Sequence, residues 1–396
     1  VKPEYPAAIG PLNVTAESRT PPDASIEAFV AGLPKVELHL HLIGSATPDS
    51  LVRLARRHPD GGVPTDLDAL ARWLRFTDFA QFGAAYGKIS RLVTGGDDLL
   101  ALIGGLAEAL AASAVRYAEV TVTPLTHLRN GLRPDELADA LGLGRARAAR
   151  DCDVELGWIF DVSGDLGPPA AADTLRWVLG HQPPGTVGFG LGGPERDVPR
   201  AAFKDAFEQA VAAGLHSVPH AGETEGPHSV WSALRELKAE RIGHGISSVT
   251  DPLLLEHLAA GGVALEVCPT SNARTGAATI ENHPLPALLR AGVRVSLATD
   301  NPGLFNTSLN NEYLLCHHAL RLSRAQLVTL ARTGAEAAFC SSAQRRRILD
   351  EINAFAHENE ASVNADRPDQ HGSTGSSLPA VSSSRSTSTA RNWPAE

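Results

Sequence analysis

The sequence predicts a parallel (β/α)8 barrel with a helical insertion after its first strand, on three observations. Eight short β-rich runs recur between residues 35 and 302. Longer stretches with apolar residues at three- and four-residue spacing separate them, the mark of helices with one buried face. Polar, chemistry-bearing side chains fall near the ends of the runs, where a barrel of this kind gathers its functional groups. Strand then helix, eight times over about 250 residues, is the pattern of this fold.

In chain order the runs are KVELHLHL, VRYAEVTVTP, VELGWIFDV, TVGFGLGG, HSVPHAGE, RIGHGI, VALEVCPTSN and VRVSLATDNP. The stretches PRAAFKDAFEQAVAAG, SVWSALRELKAE and DPLLLEHLAAGG are the helices between the later ones. The gap after the first run is longer than one helix requires, and residues 47–112 have room for three or four. Such an insertion sits over the C-terminal mouth of the barrel. Within it, Trp73, Phe76, Phe79 and Phe82 are candidates for a lid or substrate wall, with plain helix packing the alternative for most of them. No internal repeat is visible in the sequence. Residues 1–31 read as a loose arm, 32–357 as the barrel, and the Ser-rich stretch 358–396 as a disordered tail, too poor in apolar residues to offset its ordering entropy.

The chain has 396 residues, 43% of them hydrophobic, which suffices for a large core. A net charge of −10 argues against nucleic acid or an anionic membrane as partner. No apolar run approaches the roughly 18 residues of a membrane span, and no secretory signal is legible. Cys152, Cys268, Cys316 and Cys340 lie far apart with no C-x-x-C pair, so reduced thiols in a cytoplasmic protein are expected. Nothing in the sequence assigns an oligomeric state.

His39 and His41 stand two apart, so an extended strand turns them to the same face. His220 and Glu223 close the fifth run, His244 the sixth, Asp300 and Asn301 the eighth. In a parallel barrel these strand ends meet at one mouth. Three histidines and a carboxylate suit a borderline-soft divalent ion, above all zinc. His39, His41, His220 and Asp300 are therefore the expected ligands of one zinc per chain. Any one of the histidines alone would read as a hydrogen-bonded core residue; four ligand types on strand ends together would not. Glu223 is placed to carry a proton, and His244 to orient an attacking water as base or electrostatic partner, the parts of metal-assisted hydrolysis.

The motifs KVELHLHL, HAGE, RIGHG, EVCPTSN and LATDNP, in this order, resemble the adenosine deaminase family. The resemblance runs from about Pro34 to about Ser342, and GWIFDV and GFGLGGPE look like its actinobacterial branch. It implies a small-molecule purine nucleoside as substrate, hydrolysed at its 6-amino group to an inosine-type product and ammonia. It further implies that Glu223 protonates the ring nitrogen beside C6, that His244 positions the attacking water, and that Gly193 offers a backbone N–H to the base. Two positions depart from the family pattern. Ile43 stands where an aspartate usually accepts the ribose 5′-hydroxyl, and Asn301 replaces a second aspartate that donates to purine N7. An asparagine amide can still donate. An isoleucine leaves a 5′-hydroxyl unpaired, a loss of about 1–3 kcal/mol. Adenosine is the expected substrate, with a 5′-modified adenine nucleoside such as aminodeoxyfutalosine or 5′-methylthioadenosine as the alternative. A binuclear hydrolase on the same barrel is disfavoured because no lysine other than Lys35 lies on the runs, and a non-catalytic nucleoside-binding descendant rests only on Ile43 and Asn301.

Overall fold

The computed structural model describes residues 24–76 and 79–365. The eight runs become β1 (Lys35–His41), β2 (Val115–Val122), β3 (Glu155–Ser163), β4 (Thr186–Gly192), β5 (His216–Ala221), β6 (Arg241–His244), β7 (Ala264–Val267) and β8 (Val295–Leu297). They pair in parallel in sequence order. The first and last strands meet at the mouth. The His41 backbone N–H donates to Asp300 O at 2.9 Å, and the Asp300 N–H donates to His39 O at 3.0 Å. Closure therefore runs through three of the residues expected to bind metal. Between Glu37 and Leu40, β1 carries one residue more than β2, a bulge of the kind that re-aims side chains at barrel rims.

Four helices fill the insertion: α2 (Pro48–Arg57), α3 (Leu67–Trp73), α4 (Phe79–Leu92) and α5 (Gly96–Ala112), preceded in the chain by α1 (Ala24–Gly32). The start of α2 is written in its sequence: Thr47 accepts the Ser50 N–H, Pro48 takes the first helical position, and Arg56 and Arg57 complement the C-terminal end of the dipole. The expected aromatic wall divides. Phe82 stacks on Phe305, just beyond β8, with centroids 4.9 Å apart, and Phe76 meets Phe82 edge-on. Trp73 instead lies against Lys88 within the insertion, and the Phe79 side chain lies outside the described residues.

Two boundaries differ from expectation. Residues 24–31, read as loose arm, belong to α1, with Ile26, Phe29 and Val30 buried. The cause is tertiary. Phe29 packs on Phe355 from the last helix, Ser342–Ala365. Lys35 Nζ donates all three of its hydrogens, to the carbonyls of Val30, Leu33 and Ser113, and so ties α1 and the end of α5 to the base of β1. That last helix also runs past residue 358, where a disordered tail was expected to begin, because Ile348 and Ile352 anchor its inner face. Residues 1–23 and 366–396 lie outside the described residues. Among the described residues no helix is long and apolar enough to cross a membrane.

Candidate active site

The strand ends bring together His39 and His41 from β1, His220 from β5 and Asp300 from the turn after β8. One ligand atom from each lies within 4.8 Å of all the others. His41 Nε2 stands 3.1 Å from His220 Nε2 and 3.3 Å from Asp300 Oδ1, while His39 Nε2 is 3.6 Å from the same oxygen. Burial holds His41 and His220 below the ordinary imidazole pKa, so both are neutral, the form that ligates. The two Nε2 atoms are close enough to hydrogen-bond to each other, one donating, and close enough to share a cation. His39 Nε2, buried and without a hydrogen-bond partner, is aimed at the same point. The donor set fits a divalent metal.

Two of the four, His39 and Asp300, are held from behind by hydrogen bonds. His39 Nδ1 pairs with Glu266 Oε2 at 2.9 Å, leaving Nε2 for the centre, a common support for a metal-binding histidine. Glu266 Oε1 accepts from Arg241 Nε at 2.6 Å, and Arg241 reaches on to Glu119 deeper in the barrel. Burial opposes ionisation of Glu266, but the Arg241 charge outweighs it and keeps the carboxyl below its usual range. Asp300 accepts from Ser271 Oγ at 2.6 Å and Asn301 Nδ2 at 2.7 Å. His244 and Asp300 both adopt left-handed backbone, φ 63° and 65°, a conformation non-glycine residues adopt at a cost and one that gathers at functional sites. Gly243, next to His244 on β6, faces the histidines: a Cβ there would fall 2.7 Å from His39 Cε1 and 3.2 Å from His220 Cγ.

The remaining expected residues surround this centre. Glu223 lies in the turn after β5, its Oε2 3.6 Å from His244 Nε2 and its Oε1 accepting from Thr275 Oγ1 at 3.0 Å. Burial, and next the Asp300 charge, push its pKa up to about 8. Burial lowers His244 to about 4. Gly193 follows β4 with φ 74°, and a Cβ there would come within 2.3 Å of Ser163 Oγ. Asn301 keeps a buried, unpartnered Oδ1. The two-residue alternation of His39 and His41 makes Ile43 the next residue on the same face if the strand continues. β1 ends at His41, so Ile43 sits in the following turn rather than on the strand's ligand face, buried beside a small cavity with Tyr86, Thr126 and His127.

Several groups were not anticipated from sequence. Glu195, directly after GFGLGGP, accepts the backbone N–H groups of Gly222 (2.6 Å), Glu223 (2.8 Å), Thr224 (2.6 Å) and Glu225 (3.1 Å), and the Ser229 hydroxyl at 2.8 Å. The loop that carries Glu223 is thus wound around one carboxylate. Glu195→Gln turns one acceptor oxygen into an N–H2 that faces donors, so kcat should fall about 10²-fold, as small misplacements of a reacting group do. Steady-state kinetics, with circular dichroism confirming an intact fold, check this; unchanged kcat would contradict it. Asp161, Glu266, Arg241, Asn272 and His283 were also missed. Charged residues inside apolar runs, Asp161 in GWIFDV and Glu266 in VALEV, were the available signal.

The comparisons with known proteins agree with this geometry. The family model described as adenosine deaminase matches residues 34–355. An aminodeoxyfutalosine deaminase of Streptomyces avermitilis is 46% identical over 333 residues, spanning 83% of this chain and 93% of the relative. An adenine deaminase of Sinorhizobium medicae is 37% identical over 325 residues, 81% of this chain and 98% of the relative. An amidohydrolase of Burkholderia ambifaria, solved with bound zinc, superposes with a TM-score of 0.79 at 26% identity, covering 90% of this chain and 98% of that one.

Proposed function

This chain belongs to the adenosine deaminase family, and from that premise we propose that it is a zinc enzyme deaminating a 5′-modified adenine nucleoside of the aminodeoxyfutalosine type. The coarser activity follows from the family: it is a hydrolase acting on C–N bonds of cyclic amidines. The substrate choice is carried by the side chain at position 43. Ile43 is buried at 3% exposure and has no group to accept a 5′-hydroxyl. That favours a nucleoside whose 5′ carbon bears something other than a free hydroxyl, in line with the name of the Streptomyces avermitilis relative.

His39, His41, His220 and Asp300 would hold the ion. When bound, zinc supplies the Lewis acidity that makes water nucleophilic at neutral pH. The chain's own groups do the rest. Glu223, protonated at neutral pH, donates to the purine ring nitrogen beside C6 and draws electron density from that carbon. Thr275 holds the other carboxyl oxygen, so the acidic face is turned inward. Asn301 has a second Nδ2 hydrogen to donate to purine N7, while its Oδ1 is buried against Gly44. Gly193, able to approach closely for want of a side chain, lends its backbone N–H to the base.

The test is a substrate panel followed by the ultraviolet change on deamination: adenosine, adenine, 5′-methylthioadenosine and aminodeoxyfutalosine. The largest kcat/KM is expected for aminodeoxyfutalosine; equal or better turnover of adenosine or adenine would overturn the assignment. Ile43→Asp should move the ratio of kcat/KM values for adenosine over the 5′-modified nucleoside upward by about 10-fold, within the worth of one hydrogen bond to a charged group. Because both substrates are measured on one preparation, any loss of folded protein cancels from the ratio.

A further inference from the structure

Behind His244 runs a chain of buried hydrogen bonds whose direction is set by a backbone amide. The Leu285 N–H donates to His283 Nδ1 at 3.2 Å. His283 Nε2 lies 3.2 Å from Asn272 Oδ1, and Asn272 Nδ2 lies 3.1 Å from His244 Nδ1. A backbone N–H can only donate, so His283 Nδ1 must accept. Burial lowers His283 to about 4, so the ring is neutral and its single proton sits on Nε2. That proton meets the amide oxygen of Asn272, whose N–H2 then meets His244 Nδ1. With Nδ1 accepting from Asn272, the His244 proton can only sit on Nε2, the nitrogen that faces Glu223 and the metal ligands. The opposite orientation of the Asn272 amide fails: it would move the His283 proton to Nδ1, donor against the Leu285 donor.

We propose that His283 is a positioning residue which, acting through Asn272, holds His244 in the tautomer that presents Nε2–H to the reaction centre. His244 then acts as a hydrogen-bond donor to the attacking oxygen and not as its base, a choice that the residue type alone left open. Asn272 belongs to the short helix Pro269–Thr275, which also supplies Thr275 to Glu223. One element therefore sets the proton position on both groups. His283 reaches His244 only through the Asn272 amide, so its effect is transmitted by hydrogen-bond polarity.

The effect on turnover rests on the deaminase reading, whereas the tautomer is a property of the folded chain with or without turnover. The experiment is 15N-histidine NMR on the intact protein, the His244 ring signals assigned by their loss in His244→Gln, alongside steady-state kinetics. Wild type should show His244 protonated on Nε2 only. His283→Leu should populate both tautomers and lower kcat about 10-fold with KM near wild type. His283→Gln can accept from Leu285 and donate to Asn272, so it should stay within a few fold of wild type. Asn272→Asp keeps both hydrogen bonds but demands a proton on His244 Nδ1; it should reverse the tautomer and cost on the order of 10³–10⁴ in kcat, the scale of a wrong-tautomer histidine in a serine-protease triad. A wild-type His244 protonated on Nδ1, a tautomer unmoved by Asn272→Asp, or equal losses in His283→Leu and His283→Gln would overturn the proposal. If no 6-aminopurine is turned over, the deaminase reading falls while the NMR result still decides this one.

Discussion

Glu223→Gln is expected to lower kcat by about 10²–10⁴-fold, the usual worth of a positioned general acid, with a much smaller change in KM. The glutamine keeps the shape and can still accept from Thr275, but it has no proton to lend the purine. The same group sets the alkaline limb of the rate profile. Burial and the Asp300 charge raise its pKa to about 8, so the active form is the protonated one, and the rate falls as pH rises through that value. A divalent ion at the centre pulls the carboxyl back down, which places the limb at or below pH 8. The residual activity of Glu223→Gln should lack this limb. A wild-type kcat in the variant, measured on metal-loaded protein, would remove Glu223 from the role of acid.

Metal removal is the second large effect. Dialysis against a strong chelator should take deamination to background, and one equivalent of zinc per chain should restore it. The observation behind this is electrostatic: His39 Nε2 is buried without a partner, and His41 and His220 confront each other nitrogen to nitrogen at 3.1 Å. A cation bound among the four groups would be ligated by all three nitrogens. Glu266→Gln, which weakens the bond to His39 Nδ1 and leaves Arg241 short of one countercharge, should raise the metal dissociation constant about 10–100-fold, the range for residues that support metal ligands. Competition with a chromophoric chelator reads the constant, and metal analysis the stoichiometry. Two ions per chain, or full activity after complete removal, would contradict the mononuclear centre.

The four-residue cluster was legible because metal chemistry restricts residue type severely and a parallel barrel sends every strand end to one place. His39, His41, His220 and Asp300 are spread over 260 positions, yet each carries its signature locally, a polar residue ending an apolar run. The supports were not legible, because nothing local marks them. Arg241 is 122 positions from Glu119, and the carboxylate of Glu195 finds its donors 27 to 34 positions away. A buried arginine or glutamate in sequence looks like a surface one until its partners are known. Position 43 was half legible. Its apolar character was plain, but where β1 stops depends on the backbone bonds between β1 and Asp300.

The sequence by itself determined the barrel, the helical insertion and the gathering of His39, His41, His220 and Asp300, since periodicity and ligand chemistry are properties of single segments. The tertiary structure alone decided that residues 24–31 are helical, that Glu195 winds the loop carrying Glu223, and that a chain of hydrogen bonds from Leu285 ends on His244 Nδ1. Each of these depends on which distant group satisfies a buried donor or acceptor. A histidine's residue type leaves its proton free to sit on either nitrogen; only the fixed polarity of the Leu285 amide, passed through His283 and Asn272, chooses between them.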